Sequence, residues 1–155
     1  MKYIFIFTLF LLLNACGPHS KQNNSNTAIN ESKDSIAVRV FNDYLFKCNR
    51  MFDPIPASEW LKNNSYFTDK YKEKILKEID DSQAVDPEMG LEVDPIFKTQ
   101  DFPDMGFTVD GSDSIKNTVF LSGKDLMTFK VLVQFELVDN QWKIADSKAF
   151  NIRFK

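Results

Sequence analysis

Apolar side chains return along the chain at two different periods, and the change of period divides the folded part into a helical half and a stranded half. From Ile36 through Val40, Phe41, Tyr44 and Leu45 to Cys48 the spacings are about four and one, which predicts one long helix with a single buried face. Ser and Asp residues between Ser32 and Ser35 stand where its cap is needed. Pro54 and Pro56 end the run, because proline removes a backbone donor and crowds the preceding turn. Ser58-Glu59-Trp60-Leu61 starts a short second helix reaching about Asn63. Thr68 caps a third, with Tyr71, Ile75, Leu76 and Ile79 as its apolar stripe.

Beyond Asp104 the period drops to two. Met127, Phe129, Val131, Val133, Phe135 and Leu137 alternate with more polar neighbours, the pattern of a half-buried strand. Asp139-Asn140 makes a two-residue turn, since both tolerate positive backbone angles. Trp142, Ile144, Asp146, Lys148, Phe150, Ile152 and Phe154 continue one face of the returning strand. Phe107–Asp110 and Asn117–Ser122 read as shorter strands around a loop centred on Gly111. Helices followed by a strand meander predict an α+β domain, with a long N-terminal helix and shorter helices packed on a curved, antiparallel, four-stranded sheet.

The hairpin register places Leu137 opposite Trp142, Phe135 opposite Ile144, Val133 opposite Asp146 and Val131 opposite Lys148. Glu136 then meets Lys143 on the other face, a cross-strand pair that supports this register. Asp146 and Lys148 consequently project from an otherwise apolar face, where unpaired charge is costly. Either they form a polar patch in a concave pocket, with Tyr44 as a third ligand-binding residue, or a bulge turns them outward. In the pocket alternative Asp146 is a candidate general base, helped by Lys148 or Tyr44.

The N-terminal stretch has a different character. Lys2 is followed by eleven residues, Tyr3 to Leu13, broken only by Thr8. This charged-then-apolar layout is that of a secretory signal, too short for the roughly 20 residues of a membrane span. The closing Leu13-Asn14-Ala15-Cys16 resembles the lipobox of bacterial lipoproteins. That resemblance implies a lipid-anchored protein cleaved before Cys16, its thiol carrying a diacylglyceryl group. More than one acyl chain gives lasting attachment, so membrane contact runs through Cys16. Gly17 is not an acid, which leans toward the outer membrane. Residues 1–15 are thus the signal, 16–31 a polar, Asn-rich tether read as disordered, and 32–155 the single folded domain. Scaled as a flexible coil, the tether sets the domain about 20 Å from the membrane.

Charge and cysteine count narrow the chemistry. The chain has 19 basic and 22 acidic residues, a net charge of −3. That balance argues against a nucleic-acid surface, which needs clustered Lys and Arg. With Cys16 committed to lipid, Cys48 alone remains. It reads as a small buried hydrophobe, because an activated thiolate needs a basic neighbour. His19, the only histidine, falls in the tether, so His-based triads and zinc sites are unavailable to the domain. No cofactor and no metal is expected. Between Glu78 and Asp104 nine acids face Lys98 alone. Asp86, Glu88, Glu92 and Asp94 faintly match a calcium loop, yet Leu91 stands where the turn glycine belongs and Phe97 where the bidentate Glu belongs. A solvated acidic loop is the plainer reading.

Three groups of residues together resemble the domain-of-unknown-function family 3828. They are Phe41-Asn42-Asp43-Tyr44-Leu45, Asp94-Pro95-Ile96-Phe97 with Gln100-Asp101, and Asn140-Gln141-Trp142-Lys143-Ile144. The likeness runs over roughly residues 36–152. It implies a small bacterial envelope protein with a nuclear-transport-factor-like, cone-shaped fold, and it brings no assigned reaction. Fold and address leave three expectations for function. The first is a binding module for an envelope protein, peptide or small ligand. The second is an inhibitor or immunity-type lipoprotein whose acidic middle loop plugs the basic site of a secreted enzyme. The third is a metal-free pocket enzyme built on Asp146. A homodimer formed through the sheet is compatible with each.

Overall fold

In the computed structural model the described residues are 31–49 and 52–152. The expected signal segment and most of the expected tether, with Cys16, Gly17 and His19, lie outside them, as does Phe154. Three helices, α1 (Lys33–Cys48), α2 (Ala57–Asn63) and α3 (Asp69–Val85), are followed by four strands. These are β1 (Phe107–Asp113), β2 (Thr118–Gly123), β3 (Phe129–Val138) and β4 (Gln141–Asn151). They form one antiparallel sheet in sequence order, and the helices pack against it, making an α+β fold.

Local chemistry sets the helix ends. Ser32 and Thr68 each accept a bond from the backbone N–H three residues on, at Ser35 and Tyr71, satisfying donors a helix leaves orphaned. Ile36, Ala37, Val40, Phe41, Tyr44 and Leu45 form the buried face of α1. Each large side chain there contributes about 2 kcal/mol by leaving water. Against them pack Trp60, Phe67, Tyr71, Phe97, Phe107 and Phe129, joined by edge-to-face and tilted aromatic contacts such as Tyr44–Phe97 and Phe97–Phe129. Aromatic rings thus occupy the space between α1 and the inner face of the sheet.

Polar contacts pin α1 near its start and beyond its middle. Near its start Lys33 Nζ donates to Asn117 Oδ1 at 3.0 Å and lies 4.6 Å from the Trp142 ring centroid. Farther along, the Asn42 amide accepts from Phe107 N at 2.7 Å and donates to Phe107 O at 3.2 Å. The side chain stands in for a neighbouring strand at the start of β1, an edge strand. Gly106 must be glycine for this fit: its φ is +87°, and a Cβ would collide with the Asn42 side chain.

Two bulges depart from the expected pairing. β1 continues through Gly111 to Asp113, with Asp110 the extra residue between Val109 and Gly111. The turn falls at residues 114–117 instead, held by Asp113 Oδ1 accepting from Ile115 N and Lys116 N and by Asn117 at φ +52°. In the β3–β4 hairpin Asp139 and Asn140 take φ values of 49° and 63°, and Leu137–Trp142, Glu136–Lys143 and Phe135–Ile144 pair as expected. Ala145 is then an extra residue, so Gln134 pairs with Asp146, Val133 with Ser147, and Leu132 with Lys148. One inserted residue flips every later side chain to the other face. Residues 66–68 lie beside this bulge, with Ile144 N donating to Tyr66 O and Thr68 N donating to Ile144 O, which covers part of the β4 edge.

Candidate functional site

The Ala145 bulge decides the fate of Asp146 and Lys148. The pocket alternative required both to point inward, whereas the shifted register gives the inner positions to Ser147 and Ala149. The Ser147 hydroxyl lies 2.7 Å from the buried Tyr71 hydroxyl. Asp146 is exposed and ion-paired to Lys74 of α3 at 3.3 Å. Lys148 is exposed as well. Asp146 is therefore half of a solvent-exposed ion pair rather than part of an inward-facing polar patch. Tyr44 sits in the core, 1% exposed, so the three residues do not converge on one site.

Tyr44 has a partner the sequence reading did not pair with it. Its hydroxyl donates to Asp94 Oδ2 at 2.7 Å, while Asp94 Oδ1 accepts from the backbone N–H groups of Ile96 and Phe97. Burial raises the Asp94 carboxyl above its ordinary value, opposed by these three bonds. Burial, with the neighbouring carboxylate, also pushes the Tyr44 hydroxyl far upward, so it stays protonated and acts as a donor. Beside the pair runs a cleft of about 330 Å³ lined by Cys48, Ile55, Pro56 and Pro95. The Cys48 thiol is pushed up to about 12, chiefly by burial and next by Asp94, which makes it a poor nucleophile. This constellation holds the 94–99 turn against α1. Asp94 N donating to Thr99 O, and Lys98 N to Asp94 O, complete that turn.

On the outer side of the sheet, Lys130 Nζ lies 2.9 Å from Asp110 Oδ2 and 3.0 Å from Ser122 Oγ. A serine beside a lysine suggests nucleophilic chemistry, in which a neutral amine would take the hydroxyl proton. Here the Lys130 amine is held by Asp110 as well, and the Ser122 hydroxyl itself donates to Met127 O at 3.3 Å. The trio fastens the β1 bulge to β2 and β3. Sequence reading missed it because only the bulge and the β2–β3 register bring the three together.

A second cleft, about 240 Å³, opens where α3 ends. Its lining includes Ile79, Pro56, Pro95, Met89, Leu91 and Val93, with Ser58 and Gln83 as polar members. The loop folds back on α3 because Ser82 Oγ donates to Gly90 O at 2.7 Å and Gly90 N donates to Asp86 O at 2.8 Å. Asp86 Oδ1 accepts from Glu88 N and Met89 N, and Gly90 turns at φ +60°. Of the acids that resembled a calcium loop, Asp86 and Asp94 are thus engaged in holding turns. Among the described residues no three acidic, Cys or His side chains gather to hold a metal ion.

The large side chains left bare include Val85 at 88%, Phe52 at 82%, Met89 at 69% and Phe46 at 67% exposure. Among the described residues no helix is long and apolar enough to cross a membrane. No protein-family model, curated protein or solved structure matches the chain.

Proposed function

We propose that this is a lipid-anchored envelope protein whose domain acts as a non-catalytic binding module for a protein or peptide. Cys16 is the anchor in this reading, placed by the lipobox-like Leu13-Asn14-Ala15-Cys16. The single observation that carries the binding role is a contrast. The polar groups with catalytic potential, Tyr44, Asp94, Ser122 and Lys130, are engaged in holding turns and strands. Meanwhile bulky apolar side chains such as Phe46, Val85 and Met89 stand in solvent, where a partner that covers them gains the free energy of their burial. The acidic segment adds a preference for a cationic partner, in keeping with the inhibitor reading.

Native mass spectrometry of the full-length protein, extracted gently from its own membrane, tests both parts. The expected species is a chain starting at acylated Cys16 with a second protein bound in fixed stoichiometry. An unmodified chain starting elsewhere overturns the anchor. A chain that carries a turned-over small molecule and no protein overturns the binding module.

A further inference from the structure

We infer that the apolar groove at the end of α3, lined by Ile79, Met89, Leu91 and Val93, docks a cationic amphipathic peptide segment of a partner protein. The inference rests on the binding-module reading and adds to it a place and a ligand class.

Three observations meet at this groove. It is mostly apolar, with Ser58 and Gln83 the polar side chains of its lining, and it joins the nearly buried Ile79, 9% exposed, to the solvent-exposed Met89, 69% exposed. The segment that supplies its lining is of one sign: residues 80–95 hold six acids and no Lys or Arg, with Glu88 next to Met89 and Glu92 between Leu91 and Val93. Asp81 is paired with Lys77 at 2.5 Å, and Asp94 is engaged by Tyr44. Asp80, Asp86, Glu88 and Glu92 are exposed and have no ion-pair partner among the described residues. The third observation concerns the helix itself. The last turn of α3 carries no basic residue, and its C-cap is Asp86. A helix C-terminus already bears partial negative charge and is normally complemented by cations. Here acids accumulate at the wrong end, an arrangement that costs the free domain stability and that a bound cation relieves.

A mostly apolar groove flanked in sequence by acids selects a ligand with apolar side chains on one face and Lys or Arg on the other. Such a segment buries its apolar face on Leu91 and Met89 while its charges meet Glu88, Glu92 and the α3 terminus. The bonds from Ser82 to Gly90 and within the Asp86 turn hold the groove open before binding, which lowers the ordering cost of association. An anionic bilayer surface is repelled by the same acids.

The test uses the full-length protein in detergent and a synthetic twelve-residue peptide of alternating Lys and Leu blocks with helical amphipathicity, titrated by calorimetry at two salt concentrations. A peptide with Glu in place of Lys is the control. The Lys peptide is expected to bind with a dissociation constant in the micromolar range, weakening at least fivefold from low to high salt, and the Glu peptide not to bind. Met89→Ala is expected to weaken binding about fivefold, and Glu88→Gln with Glu92→Gln to weaken it and flatten the salt dependence. All three positions are exposed, so folding survives and circular dichroism checks it. Absence of binding by the Lys peptide, equal binding by the Glu peptide, or dissociation constants within twofold of the parent in all variants would overturn the inference. Photocrosslinking in whole envelopes separates this from the broader reading. A partner captured from Phe46 but never from Met89 keeps the binding module and removes the groove.

Discussion

In the β3–β4 half of the sheet, Asp146 and Lys130 are absorbed into the fold. Asp146 is turned out by the Ala145 bulge and paired with Lys74, and Lys130 is tied between Asp110 and Ser122. Across residues 80–95 the opposite holds, with four exposed acids that have no ion-pair partner among the described residues and with Val85 and Met89 standing in solvent beside a mostly apolar groove. Both regions are folded, so stability alone does not account for the difference. It teaches that polar residues joined to the hydrogen-bond framework serve the fold, whereas the segment left electrostatically unbalanced is the place to look for a ligand.

The largest effect is expected from Ser147→Asp combined with Ala149→Lys, which puts charges at the inner positions opposite Val133 and Val131 that the Ala145 bulge keeps free of them. Burying these charges costs at least about 4 kcal/mol, so urea denaturation or circular dichroism should show a domain largely unfolded. A near-native midpoint would mean that the inner face of β4 tolerates charge and that the bulge is incidental.

Next in size is Asp94→Ala, which strands the Tyr44 hydroxyl and two backbone N–H groups and should cost about 3 kcal/mol by the same measurement. Asp94→Asn keeps an acceptor for the turn and sharpens the electrostatic point. Burial holds the native carboxyl above its ordinary 3.8, so between that value and its raised one the folded state binds more protons than the unfolded state. The Asp94 contribution to stability is therefore greatest at low pH and declines as pH rises through the window. Unfolding curves from pH 4 to 7 should show that decline in the parent and a flatter trend in Asp94→Asn.

Asn42→Ala comes third. It removes both bonds to the Phe107 backbone and should lower stability by about 2 kcal/mol, leaving peptide binding untouched. The smallest effect has the opposite sign. Val85→Lys places a cation in the last turn of α3, where none exists, and should raise stability by about 0.5 kcal/mol while weakening the Lys peptide. Stability gained together with affinity lost marks a site whose balance a partner completes.

Much of this was legible where the signal is local. Ser32, Thr68 and Asp139-Asn140 act within three or four residues of themselves, so their caps and turn could be read from the chain. The apolar stripes of α1 and α3 were equally plain. Asp110 and Ala145 were not, because a bulge leaves alternation intact on either side and its extra residue is identified only by what lies across the ladder. The loop expected around Gly111 proved to be strand as far as Asp113. The acids of residues 80–95 were visible as composition, but the groove was not: Met89, Leu91 and Val93 alternate with acids, and the Ser82–Gly90 bond decides which side faces Ile79. Tyr44 was legible as core, while its partner lies fifty residues away.

The most direct test of the central claim, that the unbalanced end of α3 is the binding surface, is a nitrogen-15 NMR titration of the full-length protein with the Lys peptide. The account predicts shift changes concentrated in residues 56–58 and 79–95, with the strands little moved. Changes centred instead on the outer strand positions Phe120, Leu132 and Lys148, with residues 79–95 silent, would contradict it.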